Sequence, residues 1–407
     1  MSFSRVPARN PFLIDSIGDT SDPSGKNPHA GTAAFSVWRS TSRPMEYVQE
    51  RITTLHDFGD AAPPAPTGRT AVVVPMTERE HTSLAAERVL RTLSSVDPAA
   101  VVVPLRAAPD RVDEVVAWLE EFDLPLTVLW CTAPPVAAAL REAGLAGAAG
   151  KGRDVWLGLG QVLEADYVVV HDADARSYAA SHVPRLVFPL TRGKRFVKGY
   201  YARVENGRLY GRLCRLFYEP VVRALADRHA AAVVDYLGAF RYALAGEFAM
   251  TGEMARRVRA QRDWGLEVGT LGEAFRLAGV ADSAQVDLGV HEHDHRAVGG
   301  PDGLGDMCDQ VAAALFRAVT DAGLEPDYEA LRADYREVAG AFVADYATDA
   351  AFNDLTHDAA AEREQVRTYA ASIRPPPADT RLPAWADAPV APDRLLDLSR
   401  EAVADAT

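Results

Sequence analysis

The sequence predicts an α/β protein whose mostly parallel sheet carries helices on both faces. From Thr70 onward, apolar segments of strand length alternate with segments of helix length. Four strand-like segments follow one another in this way before residue 176, which is the pattern of consecutive strand-helix units. A length of 407 residues, 48% of them hydrophobic, provides for the core that such a sheet needs.

The strands and helices of the first half can be assigned in chain order. The strands are TAVVVP, AAVVVP, LPLTVLW and DYVVV, and the intervening helices are HTSLAAERVLRTL, DRVDEVVAWLEEF, PPVAAALREAG and RDVWLGLGQVLEA. Ligands of parallel sheets bind outside the carboxyl ends of the strands. Because HDADAR follows the fourth strand, the sequence places this motif where the fold has its chemistry.

The rest of the chain is less regular. After Leu190 the predicted elements are the strand FVKGYYARV, the helix GRLYGRLCRLFYEPVVRALAD, the loop FRYALAGEFAMT, the helix LEVGTLGEAFRLAG and the strand AQVDLGVHEHDH. Residues 303–372 are predicted to be helical, and RPPPADTRLPAWADAPVAPD is predicted to be a linker before a last short helix. One short helix is predicted near Met45–Leu55, in an N-terminal arm rich in Ser, Pro, Gly and Asp.

Composition argues against several classes of function. The 57 acidic residues outnumber the 43 lysines and arginines, so a formal charge of -14 disfavours nucleic-acid binding. Cys131, Cys214 and Cys308 are widely spaced, which indicates neither a disulfide framework nor a cysteine zinc site. Neither a signal peptide nor a membrane span is expected, because Asp and Pro interrupt the N-terminal segment and no apolar run approaches the roughly 20 residues that a span needs. A cytoplasmic protein without a membrane span is expected, and a homodimer is left open.

Asp172 and Asp174 follow the fourth strand and are separated by Ala173. Two carboxylates with this spacing suit a hard divalent cation, Mg²⁺ or Mn²⁺, and the diphosphate of a nucleotide sugar that the cation neutralises. The alternative is a solvated helix cap or turn, where aspartate is common. The motif alone does not choose between a metal site and a cap.

His291, His293 and His295 alternate in HEHDH, after an apolar strand. On an extended backbone their imidazoles project to one side and can ligate a metal. A zinc site made of these three histidines would favour a zinc-dependent hydrolase, because neutral imidazole suits zinc better than magnesium. An exposed polar strand end is the simpler alternative.

GLAGAAGKGRD contains Lys151 in a glycine-rich turn before a helix. A P-loop is excluded, because Gly152 follows the lysine instead of Ser or Thr and Leu145 stands where the first glycine is required. The segment is then either an anion site at a helix N-terminus or a solvated loop. Glu267, at the start of a later helix, either holds a sugar hydroxyl or interacts with the helix dipole.

A local excess of positive charge lies between Arg185 and Arg223, where ten lysines and arginines face only Glu205 and Glu219. Arginine side chains match phosphate and carboxylate groups, so this segment predicts an anionic ligand nearby. Two or three of the ten are expected to contact it.

Taken together, the segments from Thr70 to Val298 resemble the glucosyl-3-phosphoglycerate synthases, a family of retaining glycosyltransferases with the GT-A fold. The matching motifs, in order, are GKGRDVWLGLG, HDADAR, RFVKGYYARV, NGRLYGRL, LAGEFAMT, WGLEVGTLGEAF and QVDLGVHEHDHR. The resemblance implies transfer of a hexose, with glucose the first choice, from a nucleotide diphosphate sugar to a small anionic acceptor such as 3-phosphoglycerate. Mannosyl-3-phosphoglycerate synthases are similar too, which makes transfer from GDP-mannose the second choice.

The resemblance also implies a division of the chain. The GT-A catalytic domain would span residues 66–300, with a donor half at about 66–176 and an acceptor half at about 177–300. Residues 1–65 would form the N-terminal arm and linker, and residues 301–407 a helical extension with the proline-rich linker.

The family's functional positions can be carried over residue by residue. A divalent cation, Mg²⁺ or Mn²⁺, would be held by Asp174 and His293. The donor would be contacted by Pro75, Met76, Lys151, Asp172 and Ala173. The acceptor would be contacted by Gly207, Arg208, Leu209, Tyr210 and His295. The catalytic groups would be Asp174 and Glu267, the latter beside the transferred sugar and the acceptor hydroxyl.

Some positions depart from the family pattern. Arg79 stands where an acid that contacts the nucleotide is expected, and PLRA at residues 104–107 replaces an Asp-Ser-Gly-Ser donor motif. Tyr210 replaces a small hydroxyl residue, and His295 replaces an asparagine. The donor base and the exact acceptor therefore stay open, and a non-catalytic protein that binds nucleotide sugars is a further alternative.

The expected reaction is a same-face attack, in which the diphosphate oxygen accepts the proton of the acceptor. A double displacement through Glu267 is the alternative.

Overall fold

Nine strands form one mostly parallel sheet in the described part of the chain, as the predicted fold class requires. The computed structural model describes residues 50–57, 62–292 and 300–406, with the backbone alone for 300–304. The strands are β1 (Thr53–Leu55), β2 (Thr70–Val73), β3 (Met76–Thr77), β4 (Ala100–Arg106), β5 (Leu126–Trp130), β6 (Tyr167–Val170), β7 (Phe196–Ala202), β8 (Val204–Glu205), β9 (Arg208–Leu209), β10 (Phe248–Thr251) and β11 (Ser283–Val290).

Thirteen α-helices lie between and after these strands within the described residues. They are α1 (Leu84–Val96), α2 (Val112–Leu119), α3 (Pro134–Glu142), α4 (Lys151–Gly160), α5 (His182–Thr191), α6 (Glu219–Arg228), α7 (Ala232–Leu237), α8 (Gly252–Ala255), α9 (Leu266–Leu277), α10 (Gly300–Asp321), α11 (Tyr328–Phe352), α12 (Ala359–Tyr369) and α13 (Pro392–Ala406). A π-helical turn, Cys214–Tyr218, leads into α6. None of the helices in the described ranges is long and apolar enough to cross a membrane.

The strand order of the main sheet is β1, β11, β7, β10, β6, β2, β4 and β3, and β5 also pairs with β4. Strand β10 runs antiparallel to both of its neighbours, and the other pairs are parallel. The central strands β2 and β6 are buried almost throughout, since Val72 and Val169 have no exposed surface. Their continuous valine runs fit a sheet that is covered on both sides.

Three predictions about individual segments are wrong. FAMT, in the predicted loop FRYALAGEFAMT, forms strand β10 between β6 and β7. The described end of the predicted helix near Met45–Leu55 forms β1, because Thr53–Leu55 pairs with the edge of β11. The predicted helix GRLYGRLCRLFYEPVVRALAD begins instead with β9, which pairs with β8 in a hairpin.

The proline-rich segment packs against α4 and is more than a linker. The ring of Trp385 stacks on that of Trp156 in α4 at 4.0 Å, and Trp385 Nε1 donates to Trp156 O. Leu382 is fully buried and bridges to Ala260. The described residues form one compact unit. The division into an arm, a catalytic domain and a helical extension stays a prediction.

Candidate active site

A cavity of about 170 Å³ lies at the carboxyl ends of β2, β4 and β6. Its lining includes the predicted donor and metal residues Pro75, Met76, Lys151, Asp172, Ala173 and Asp174. Further lining residues are Thr77, Glu80, Arg106, Asp154 and Trp264. We call this space the donor cavity.

The register of the sheet brings these distant segments together. Strands β2 and β6 are parallel neighbours, with Val73 opposite Val170. Both strands therefore end at the same edge of the sheet. The residues that follow them, Pro75 and Asp172, meet at the cavity. The prediction that HDADAR lies at this edge is confirmed.

Lys151 begins α4, lines the donor cavity and pairs with two acidic side chains. Its ammonium lies 2.5 Å from Asp172 Oδ1 and 2.8 Å from Glu267 Oε1. Burial works against the charged ammonium, but the charges of Asp172 and Glu267 outweigh it and raise the pKa of Lys151 above its usual value. The lysine is thus a positive charge that joins Asp172 to Glu267.

The start of α4 is placed by an unusually close backbone contact. A Cβ on Gly152 would overlap the carbonyl oxygen of Gln261, and Arg153 N donates to Arg262 O at 2.9 Å. The glycine-rich turn therefore serves close packing against the segment before α9, and that packing brings Lys151 to Glu267.

Asp174 is the other carboxylate of the motif. Burial, followed by the negative charge of Asp172, raises the pKa of Asp174 to about 7. Confining two carboxylates at a strand end is unfavourable unless a cation compensates them. Within the described residues no group of three or more His, Cys, Asp and Glu side chains is arranged to hold a metal, and the predicted partner His293 lies outside those residues.

Sequence reasoning missed two buried charged residues, Glu247 and Lys198, whose charges interact with that of Asp172. Glu247 is fully buried, and neither carboxylate oxygen has a hydrogen-bond partner on another described residue. Burial and the charge of Asp172 raise the pKa of Glu247 to about 7. Lys198 is also buried and donates to Ala245 O, and burial lowers the pKa of Lys198 to about 8. Glu247 could have been noticed in the sequence, because it is a glutamate within the apolar run LAGEF.

A second, larger cavity of about 530 Å³ lies beside the predicted acceptor residues. It is lined by Leu209 and Tyr210, and also by Tyr201, Arg203, Arg215, Tyr242, Phe342 and Tyr346. Gly207 and Arg208 are exposed at the adjoining hairpin. The lining residues of the two cavities do not overlap in the described part of the chain. We call this space the acceptor cavity.

Buried side chains connect the two cavities. The ring of Tyr201 in the acceptor cavity stacks on His291 at 4.1 Å, and His291 Nε2 lies 3.8 Å from Glu247 Oε1. Gly246 precedes Glu247 in the chain, and a Cβ at this glycine would overlap the Asp172 carboxylate. His291 is buried, and burial lowers the pKa of its imidazole to about 4. His293 and His295, the other histidines of the motif, lie outside the described residues.

Most of the positive charge between Arg185 and Arg223 has structural partners. Arg185 pairs with Asp57, Arg195 pairs with Glu253, and Arg223 pairs with Asp227. Arg203 and Arg215 line the acceptor cavity. That two or three of the ten contact an anionic ligand stays a prediction.

The sequence of this chain is similar to those of known glucosyl-3-phosphoglycerate synthases. The chain is 31% identical to glucosyl-3-phosphoglycerate synthase from Methanococcoides burtonii over 401 residues, which covers 89% of this chain and 98% of the relative. It is 32% identical to glucosyl-3-phosphoglycerate synthase from Persephonella marina, over 66% of this chain and 71% of the relative. No family model matches the chain.

Solved structures agree with these relatives. The crystal structure of the Mycobacterium tuberculosis glucosyl-3-phosphoglycerate synthase in complex with phosphoglyceric acid is similar with a TM-score of 0.51 and 25% identity, over 68% of this chain and 90% of that one. The same enzyme in complex with Mn²⁺, uridine diphosphate and glucosyl-3-phosphoglycerate is similar with a TM-score of 0.50 and 25% identity, over 68% of this chain and 89% of that one. The expected GT-A fold class is confirmed.

Proposed function

Because the chain belongs to the glucosyl-3-phosphoglycerate synthase family, we propose that it transfers glucose from a nucleoside diphosphate glucose to 3-phosphoglycerate with the help of Mg²⁺ or Mn²⁺. The M. tuberculosis relative has been crystallised with Mn²⁺, UDP-glucose and phosphoglyceric acid. The proposal is supported by two cavities, one lined by residues predicted for the donor and the other by residues predicted for the acceptor.

One observation carries the proposal. Lys151, which lines the donor cavity, lies 2.5 Å from Asp172 and 2.8 Å from Glu267, so residues predicted for the diphosphate and for the sugar meet at one positive charge. An ammonium in this position suits the charge that develops on a departing diphosphate. Pro75 and Met76 supply an apolar wall of the same cavity, where a nucleotide base can lie.

The described residues fit a divalent cation of the magnesium class. Asp172 and Asp174 have the hard oxygen atoms that such a cation prefers, and a bound cation would favour the charged form of Asp174, whose pKa is raised to about 7 by burial and by Asp172. Asp174, with His293, would hold the ion. When bound, the cation neutralises the diphosphate of the donor and makes it a better leaving group.

The carboxylates near the donor cavity favour same-face attack over double displacement. Glu267 is paired with Lys151 at 2.8 Å, which lowers the nucleophilicity of its carboxylate. Glu247 is fully buried and has no surface that a sugar carbon could approach. We therefore assign Glu267 to orienting the sugar and the acceptor hydroxyl, with the proton of that hydroxyl passing to the departing diphosphate oxygen.

The acceptor would bind at Gly207, Arg208, Leu209 and Tyr210. Support comes from the exposed Arg208 and from Arg203 in the adjoining cavity, whose charges suit a phosphate and a carboxylate.

A cytoplasmic location is supported by Cys131, Cys214 and Cys308, which are all buried free thiols.

A transfer assay tests the proposal. The purified protein is incubated with 3-phosphoglycerate, Mn²⁺ and glucose or mannose carried by UDP, GDP or ADP, and glycosylated product is measured by mass spectrometry. We expect a glucosyl product from at least one donor, loss of product with EDTA, and recovery on adding Mn²⁺.

The Asp174→Asn variant should lose at least about 100-fold in rate, because a charged ligand is removed. Asp309→Asn is the matched control, since Asp309 forms an exposed ion pair with Arg374 at 2.9 Å. No transfer from any donor by folded protein would contradict the proposed reaction, and an unchanged rate for Asp174→Asn would contradict the site.

A further inference from the structure

The predicted acceptor residues lie on a small hairpin that needs outside support. Strands β8 and β9 pair through Val204 opposite Leu209 and Glu205 opposite Arg208. Asn206 and Gly207 connect them with φ angles of 49° and 67°, as in the two-residue turns that Asn-Gly favours. A two-stranded hairpin is marginally stable by itself in water. Its position for binding an acceptor must therefore come from contacts with other elements.

The loop between α11 and α12 contacts the turn of this hairpin. Thr356 N donates to Gly207 O at 2.7 Å, and Thr356 forms a parallel β-bridge with Arg208. The C-terminal helical segment thus adds a third backbone partner to the two short strands. The contact leaves the side chain of Arg208 on the exposed surface.

The other end of the hairpin is held by Arg215. Its Nε donates to Tyr210 O at 3.0 Å, directly after β9. The two terminal nitrogens of the same guanidinium donate to Glu362 in α12, at 2.7 and 3.4 Å. The guanidinium also lies over the ring of Tyr346 in α11, 4.5 Å from its centroid.

Glu362 is a shared partner within this network. Its second oxygen lies 2.9 Å from His357 Nε2, next to Thr356 in the chain. The side chains of Arg215 and Glu362 are only 8% and 7% exposed. Buried charge-assisted hydrogen bonds with bidentate geometry fix both partners far better than surface pairs do. One carboxylate therefore links both supports of the hairpin.

We propose that Arg215 and Glu362 are positioning residues for the acceptor: through them the C-terminal helices α11 and α12 hold the β8–β9 hairpin in the conformation that binds the acceptor anion. This inference rests on the proposed function, because it takes the hairpin as the acceptor site. Neither residue needs to contact the donor, since the lining of the donor cavity includes neither. Their loss should weaken use of the acceptor and leave use of the donor unchanged.

The test uses Glu362→Gln and Arg215→Lys in the full-length protein. Glutamine keeps the shape of the side chain without its charge, and lysine keeps the charge without the fork that reaches both Tyr210 O and Glu362. We expect KM for 3-phosphoglycerate to rise about tenfold or more in both variants. KM for the sugar nucleotide, and kcat at saturating acceptor, should stay within about twofold of wild type.

Tyr335→Phe is the matched control. The Tyr335 hydroxyl donates to Leu216 O at 2.7 Å, so it also joins α11 to the segment that follows the hairpin, and it is fully buried. This variant should lower the melting temperature without changing KM for 3-phosphoglycerate. If the role of Glu362 were purely structural, Glu362→Gln would, like Tyr335→Phe, lower the melting temperature without changing KM for 3-phosphoglycerate.

Hydrogen exchange of peptides covering residues 204–212 and 354–358 gives a readout that needs no activity. Exchange there should be faster in Glu362→Gln and Arg215→Lys than in wild type or Tyr335→Phe. Unchanged exchange in these peptides, or an unchanged KM for the acceptor, would overturn the positioning role. Absence of transfer by wild type would contradict the proposed function instead, and the exchange rates would still decide whether Glu362 supports the hairpin.

Discussion

Replacing Lys151 with methionine removes a positive charge from the lining of the donor cavity. The substitution replaces the ammonium-bearing chain with an unbranched apolar one that is one atom shorter, and it leaves Asp172 and Glu267, which had both been within 2.8 Å of the ammonium, without that positive charge. Breaking a fully buried ion pair costs about 3–5 kcal/mol, because a buried charge is left uncompensated. The three side chains here are 17%, 19% and 8% exposed, so solvent relieves part of that cost. We expect the free energy of unfolding to fall by about 2 to 3 kcal/mol.

Urea denaturation at pH 7.5 measures this loss, and calorimetric titration with UDP and Mn²⁺ should show about tenfold weaker binding or worse. Lys194→Met is the matched control, because the Lys194 ammonium donates to Ala281 O at the surface. It should change the free energy of unfolding by less than about 0.5 kcal/mol. Adding Glu267→Gln to Lys151→Met should recover about 1 kcal/mol by removing one of these two negative charges. A Lys151→Met protein as stable as the control would refute the assignment of Lys151 as the compensating charge.

Two further predictions concern residues beside the cavities. Glu219→Gln should stabilise the protein at pH 8 by about 3 kcal/mol and have little effect at pH 4.5, because burial raises the pKa of Glu219 from 4.5 to about 7 and the unfolded chain therefore loses this proton first as pH rises. Thermal unfolding of wild type and Glu219→Gln from pH 4.5 to 8 measures the difference in stability. An equal gain in stability at pH 4.5 and at pH 8 would contradict the raised pKa of Glu219. Gly246→Ala should reduce transfer at least tenfold and cost about 1–3 kcal/mol, because the added Cβ overlaps the Asp172 carboxylate. Kinetics and urea denaturation test this, and wild-type behaviour in both would show that Asp172 has room to move.

The donor side of the site could be predicted from sequence because local pattern and sheet topology agree there. Uninterrupted valine runs define β2 and β6, and parallel pairing brings the residues after them to one edge. Pro75 and Asp172 therefore meet without any knowledge of side-chain packing. The same reasoning cannot reach Glu267, which is 116 positions from Lys151 and meets it only because Gly152 allows close backbone packing.

Other elements escaped prediction because their structure depends on distant partners. FAMT has no alternation of its own and becomes β10 by pairing with β6 and β7 on either side. Thr53–Leu55 is three residues long and is a strand only through β11. Asn206-Gly207 carries a recognisable turn signal, but the contacts that hold the hairpin come from Thr356 and Glu362, beyond the range of any local pattern.

The C-terminal segment, which lies beyond the motifs shared with the family, also contributes to the two cavities. The recognised motifs end near Val298, yet Phe342 and Tyr346 of α11 line the acceptor cavity. Trp385 of the proline-rich segment packs on α4, the helix that begins with Lys151. The segment after the motifs thus contributes to both cavities through packing.

The central claim is that the donor cavity binds a nucleotide diphosphate together with a divalent ion at Asp174. Crystals grown with Mn²⁺ and UDP, measured at a wavelength where manganese scatters anomalously, test it most directly. The account predicts one manganese peak within coordination distance of Asp174 and His293, with the diphosphate beside Lys151 and the base near Pro75. Manganese and UDP bound together at a place remote from Asp174 would contradict it.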